Sequence, residues 1–134
     1  MLVTRSFNKA IPVVAATIFT ASGVTSSGFT LWLENQHGYP AAGTNTLVYY
    51  FEESTNGSTW TRMVFTGGGE DNEFALLAAT STFPRRAIVQ VRLIPTASQT
   101  YIRMGAYGDV PAAVAIIRMI PSDIGNTNAL SITL

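Results

Sequence analysis

Three observations predict an all-β fold, an antiparallel β-sandwich of about nine strands, for this chain of 134 residues. Apolar and polar residues alternate with a period of two along most of the sequence. No stretch of twelve or more residues carries the 3.6-residue apolar stripe of a helix. Pro and Gly punctuate the chain at short intervals, and so many short strands cannot bury their apolar sides in one flat sheet. Two packed sheets or a closed barrel solve that problem, a sandwich of jelly-roll or immunoglobulin/fibronectin-like type being preferred, and with no break in composition the whole of residues 1–134 reads as one domain.

The first twelve residues, Met1 to Pro12, read as an irregular extended arm suited to reaching a neighbouring subunit. The run "IPVVAATIF" behind Arg5 and Lys9 resembles a secretory leader, but Pro12 interrupts it and it is too short to span a bilayer. It is expected to be retained, with Val13 to Thr20 as the first strand. In "GFTLWLEN", Phe29, Leu31 and Leu33 fall on one face and Thr30, Trp32 and Glu34 on the other. "QHGYPAAGTN" is a loop. Leu47, Tyr49 and Phe51 then alternate with Val48, Tyr50 and Glu52, and after the turn Trp60, Arg62 and Val64 alternate with Thr61, Met63 and Phe65. Asn56 and Gly57 tolerate the positive φ of a tight hairpin turn. Further strands are expected at Phe74 to Ala79, Ile88 to Ile94, Tyr101 to Tyr107, Val114 to Ile120 and Ala129 to Leu134. "AVAIIRMI" is apolar on both faces except at Arg118, the pattern of a central strand or of one covered by a partner.

Charge narrows the function classes. Eight basic and eight acidic residues cancel, so the electrostatic footprint of a nucleic-acid or anionic-membrane binder is missing. Charged residues make up 12% of the chain, about half the usual share. A surface so weakly charged favours association, and homo-oligomerisation is expected. Seven of the eight basic residues are Arg, whose flat fork suits interface pairs. No Cys is present, which removes disulfides, thiol nucleophiles and thiolate metal sites.

No catalytic set emerges. The single histidine, His37, lies in a Gly- and Pro-rich loop without a nucleophile motif around it. Glu52 and Glu53 are neighbours on a strand and point to opposite faces, so they cannot flank one scissile bond. Glu70, Asp71 and Glu73 offer oxygen ligands for Ca²⁺, but the loop lacks the EF-hand order and reads as solvated. Gly67 to Gly69 are not followed by the Lys and Ser/Thr of a phosphate-binding loop. The expectation is therefore no enzyme, no cofactor and no metal. Composition and position nominate Arg5, Phe7, Trp32, Arg85, Arg86 and Arg118, with the arm, as interface residues. Trp32, Trp60 and Tyr107 are alternatively stacking platforms of a carbohydrate-binding module, or simple sheet-face packing.

"LVYYFEESTNGSTWTRM", Leu47 to Met63, resembles a hairpin that recurs in β-sandwich proteins of tailed-phage particles and in fibronectin- or immunoglobulin-like modules. The matching residues are Glu53, Ser54, Asn56, Gly57, Ser58, Trp60 and Thr61. Within that neighbourhood the chain is most similar to small phage capsid decoration, or cement, proteins. The resemblance implies a virion structural protein on the capsid surface, bound to the major capsid protein or another virion protein, and assembled as a homo-oligomer with a trimer favoured. A tail or baseplate accessory module fits the same resemblance.

Overall fold

The computed structural model describes residues 5–24, 28–36, 44–65, 72–80, 82, 85–96, 100–108, 114–121 and 131–133. Ten strands account for most of them: β1 (Arg5–Ala10), β2 (Ala16–Ser22), β3 (Phe29–Gln36), β4 (Thr44–Ser54), β5 (Thr61–Arg62), β6 (Phe74–Thr80), β7 (Arg85–Leu93), β8 (Tyr101–Gly108), β9 (Val114–Pro121) and β10 (Ser131–Thr133). They form two antiparallel sheets, one of four strands in the order β1-β9-β3-β7 and one of six strands, β10-β2-β8-β4-β5, with β6 also on β4. β5 and β6 share one side of β4, pairing at Glu52–Glu53 and at Thr44–Tyr49 respectively.

The pairings are nested. β1 pairs with β9, β2 with β8, β3 with β7 and β4 with β6, so the chain runs as a two-stranded ribbon rolled up about its own length. That is the topology of a jelly roll, one of the two sandwich types the alternation allows. Successive paired segments alternate between the sheets, and each sheet turns one apolar side to the other.

Burial follows the alternation. Leu31 and Leu33 are fully buried between half-buried Thr30, Trp32 and Glu34, and Leu47, Tyr49 and Phe51 are buried between half-buried Val48, Tyr50 and Glu52. Phe19, Met104 and Phe51 stand at paired positions on three adjacent strands and are fully buried, forming a band across the inner face of the six-stranded sheet. Burying each such side chain contributes about 1.5–3 kcal/mol. Ile18 and Phe19 are consecutive and both buried because the β2–β8 register shifts between Thr17 and Phe19, a bulge that lets two neighbours face inward. Aromatic contacts continue the core, with Tyr49 stacked on Phe74 at 5.4 Å and Phe65 edge-on to both Phe51 and Phe74.

Four expectations change. Within the segment read as an irregular arm, Arg5–Ala10 is a regular strand along β9, so the arm's extended backbone is satisfied by its own sheet; Met1 to Thr4 lie outside the described residues. The strand expected at Val13 to Thr20 starts later, at Ala16, after a bend at Val13–Val14 that leaves Val14 79% exposed, while the Pro12 carbonyl accepts the Gly108 N–H at the end of β8. β4 begins at Thr44, inside the expected loop. The strand expected at Trp60 to Phe65 shrinks to Thr61–Arg62, for reasons that lie in its turn.

Candidate functional site: the outer face of the six-stranded sheet

The turn between β4 and β5 is built from two side chains. Ser54 is buried at the end of β4, and its Oγ accepts the N–H groups of Asn56 (3.2 Å) and Gly57 (2.9 Å) while its hydroxyl donates to Asn56 Oδ1 (3.0 Å). Asn56 Oδ1 also accepts the N–H groups of Ser58 (2.8 Å) and Thr59 (2.9 Å). Four consecutive backbone donors are thereby satisfied locally, so a wide loop from Thr55 to Trp60 replaces a two-residue turn. Gly57 alone of the Asn-Gly pair has positive φ, at 75°. The wide loop carries Trp60 back over the outer face of the sheet.

There Trp60 meets Arg103 of β8, whose guanidinium carbon lies 4.3 Å from the indole centre and whose Nε donates to Glu52 Oε1 at 2.8 Å. Glu52 and Arg103 are direct cross-strand partners, so the register of β4 with β8 creates this ion pair. One step along the same face of β4, Tyr50 faces Gly105, and the ring lies so close that a Cβ there would overlap Tyr50 Cζ. A glycine is required because the aromatic ring occupies the space a side chain would take. The Arg62 guanidinium carbon sits 3.9 Å from the Tyr50 ring centre, and Arg62 Nη1 comes within 4.0 Å of Glu73 Oε1. Glu73 Oε2 accepts the Tyr107 hydroxyl at 3.0 Å. That bond first, then burial, then the charge of Glu73 and the neighbouring Tyr50, raise the Tyr107 hydroxyl above the usual tyrosine range. Glu73 is brought to the face by Asn72, in the left-handed region at φ 54°, whose Oδ1 accepts the Phe65 N–H at 3.1 Å.

The result is a mosaic of Trp60, Arg103, Glu52, Tyr50, Arg62, Glu73 and Tyr107, all half-buried, in which Glu52–Arg103 and Tyr50–Arg62 meet across strands while Trp60 and Glu73 reach the face from the segments just before β5 and β6. Each guanidinium is pinned by a ring and a carboxylate. Individually such exposed contacts are worth about 0.5–1 kcal/mol. Together they brace an amphipathic surface of rings and charged groups.

Glu53 takes the opposite face from Glu52, as strand geometry requires. It is 8% exposed, and its carboxylate accepts the Thr96 N–H (2.9 Å) and hydroxyl (2.6 Å), tying β4 to the segment that follows β7 in the other sheet. The pair thus cannot act on one bond.

The nominated interface residues all lie on strands of the four-stranded sheet. Trp32 lies on the outward side of β3, half-buried, and its Nε1 is enclosed without a hydrogen-bond partner among the described residues. Arg118 is its cross-strand partner on β9. Arg5 and Phe7 are on β1, at one edge of the four-stranded sheet, while Arg85 and Arg86 begin β7 at the other edge. The side chains of Arg5, Phe7, Arg85, Arg86 and Arg118 lie outside the described residues, as do His37, Gly67 to Gly69, Glu70 and Asp71. Among the described residues no group of three or more His, Cys, Asp or Glu is gathered as for a metal ion, and no helix is long and apolar enough to cross a membrane. Arg62 and Arg103 are not among the candidates read from the sequence. The alternation places Tyr50 and Glu52 on one face with Trp60 and Arg62 beyond the turn, but the partners Arg103 and Gly105 follow only from the β4–β8 register.

No family model and no curated protein matches this chain. Among solved structures it is similar to the crystal structure of a mitogen derived from Yersinia pseudotuberculosis, with a TM-score of 0.43 and 6% identity over 92% of this chain and 87% of that one. A likeness at that level carries no argument about what the chain does.

Proposed function

We propose that this chain is a non-enzymatic virion structural protein, a capsid decoration or cement protein that bridges capsid subunits as a homo-oligomer, and that the outer face of its six-stranded sheet is the docking surface. The observation that carries the reading is the state of the exposed aromatics: Tyr50 and Trp60 each have a guanidinium over the ring, from Arg62 and Arg103. A sugar-binding platform needs a bare ring face to stack on, whereas Tyr, Trp and Arg held in a half-buried, mutually braced patch are the residues that dominate protein–protein hot spots. The low charged fraction of 12% acts in the same direction, since little repulsion opposes close approach of copies or partners. Trp32 and Arg118, adjacent across β3 and β9, give the four-stranded sheet a second contact region in this reading. Many symmetric copies would add weak contacts into firm attachment.

Co-sedimentation of the purified protein with heads from the phage whose genome carries the coding sequence tests this. Wild type should pellet with the heads as an oligomer, and the double substitution Y50A/R103A should weaken binding by about tenfold or more, the scale of a lost hot spot. A monomer that ignores the heads while polysaccharides shift its tryptophan emission would replace this reading with a carbohydrate-binding module.

A further inference from the structure

The chain contains one Asn-Gly pair, Asn56–Gly57, at an exposed turn. In such a pair the backbone nitrogen of the glycine, once deprotonated, attacks the Asn carboxamide carbon. The N–Cγ bond forms, the Cγ–Nδ2 bond breaks, and ammonia leaves. Water then opens the succinimide to aspartate or isoaspartate. Glycine favours the closure because no Cβ hinders its nitrogen. Both reacting groups are held here by other bonds. The Gly57 N–H is donated to Ser54 Oγ, and Asn56 Oδ1 is fixed by the Ser54 hydroxyl and the N–H groups of Ser58 and Thr59. Gly57 also packs against Tyr101, where an added Cβ would sit 3.2 Å from the ring. Closure would require turning the carboxamide away from three donors and the Gly57 N–H away from its acceptor.

We propose that Asn56–Gly57 is a latent self-modification site, kept closed by Ser54 holding nucleophile and carboxamide in separate hydrogen bonds. Aspartate at this position retains an oxygen acceptor and leaves the turn intact. Isoaspartate inserts an extra carbon into the main chain between residues 56 and 57, breaks the bonds to Ser58 and Thr59, and displaces Trp60 from Arg103. Opening the turn therefore couples chemical ageing to loss of the Trp60–Arg103 contact, whatever that face binds.

The test follows ammonia loss at Asn56 by peptide mass spectrometry during incubation in mildly alkaline buffer. It compares the folded protein, the same protein unfolded in guanidinium, and S54A. Unfolded chain and S54A should both react at least about tenfold faster than folded wild type, a factor equivalent to about 1.4 kcal/mol of protection. In S54A, isoaspartate should accumulate in step with a change in Trp emission. Folded wild type reacting as fast as unfolded chain would overturn the proposal without need of any variant. A folded S54A that reacts no faster than wild type would overturn the role given to Ser54.

Discussion

Gly105 and Tyr50 show how a single position is decided by its cross-strand partner. In a strand, glycine usually weakens the sheet, and replacing it by alanine gains about 0.5–1 kcal/mol of backbone entropy. At Gly105 the space for a Cβ is filled by Tyr50, so the sign reverses. G105A is expected to destabilise by about 1–3 kcal/mol, as overpacking does. Chemical denaturation checks this, and the cost should shrink when G105A is made on a Y50A background, because the clash is then gone. The sequence shows Gly105 inside a strand pattern, which flags a close approach of something. It does not show what approaches, since Tyr50 lies 55 positions away and only pairing makes them neighbours.

At the scale of elements, β4 carries the candidate surface on one side and a link to the other sheet on the other. Its outward residues build the mosaic, and its inward row of Leu47, Tyr49 and Phe51 ends in a carboxylate, Glu53. An inward carboxylate is tolerated because Thr96 supplies two donors to it, from the segment leaving the opposite sheet. E53A removes both charge-assisted bonds, at an expected cost of about 1–3 kcal/mol. Hydrogen exchange at Thr96 and a lowered denaturation midpoint would reveal it, and unchanged exchange there would mean that Glu53 does not hold the segment. The β4–β5 hairpin itself was legible as a hairpin from "ESTNGSTW", yet its second strand was overextended. Ser54 and Asn56 spend their side chains on backbone donors, which widens the loop at the expense of strand pairing.

Across the whole molecule, the buried aromatic centre sets an alkaline limit on stability. Burial pushes the Tyr49 hydroxyl up to about 12 from its ordinary 10. Below pH 10 both folded and unfolded chains hold this proton, and the native advantage is complete. Between pH 10 and about 12 the unfolded chain ionises first, so stability falls as pH rises, by on the order of 2–3 kcal/mol in total. The raised Tyr107 hydroxyl acts in the same direction. Denaturant unfolding at pH 9 and pH 11 should show a loss for wild type that is smaller in Y49F, which keeps the ring contacts with Phe51 and Phe74 but has nothing to titrate. An equal loss in both would place the titration elsewhere.

Taken alone, the sequence determined the class of fold and which side of β3 and β4 is buried, because a period of two in polarity has one satisfactory answer when a sheet has an inside and an outside. That holds for Leu31 and Leu33 in β3 and for Leu47, Tyr49 and Phe51 in β4. The tertiary structure decided the rest: that the ribbon rolls into a jelly roll, that Arg5–Ala10 joins its own sheet, and that Arg103 and Gly105 come to lie beside Glu52 and Tyr50. Alternation is local information, carried by neighbours in the chain. Register between distant strands is set by the sum of contacts over a whole sheet, and no short stretch of residues contains it.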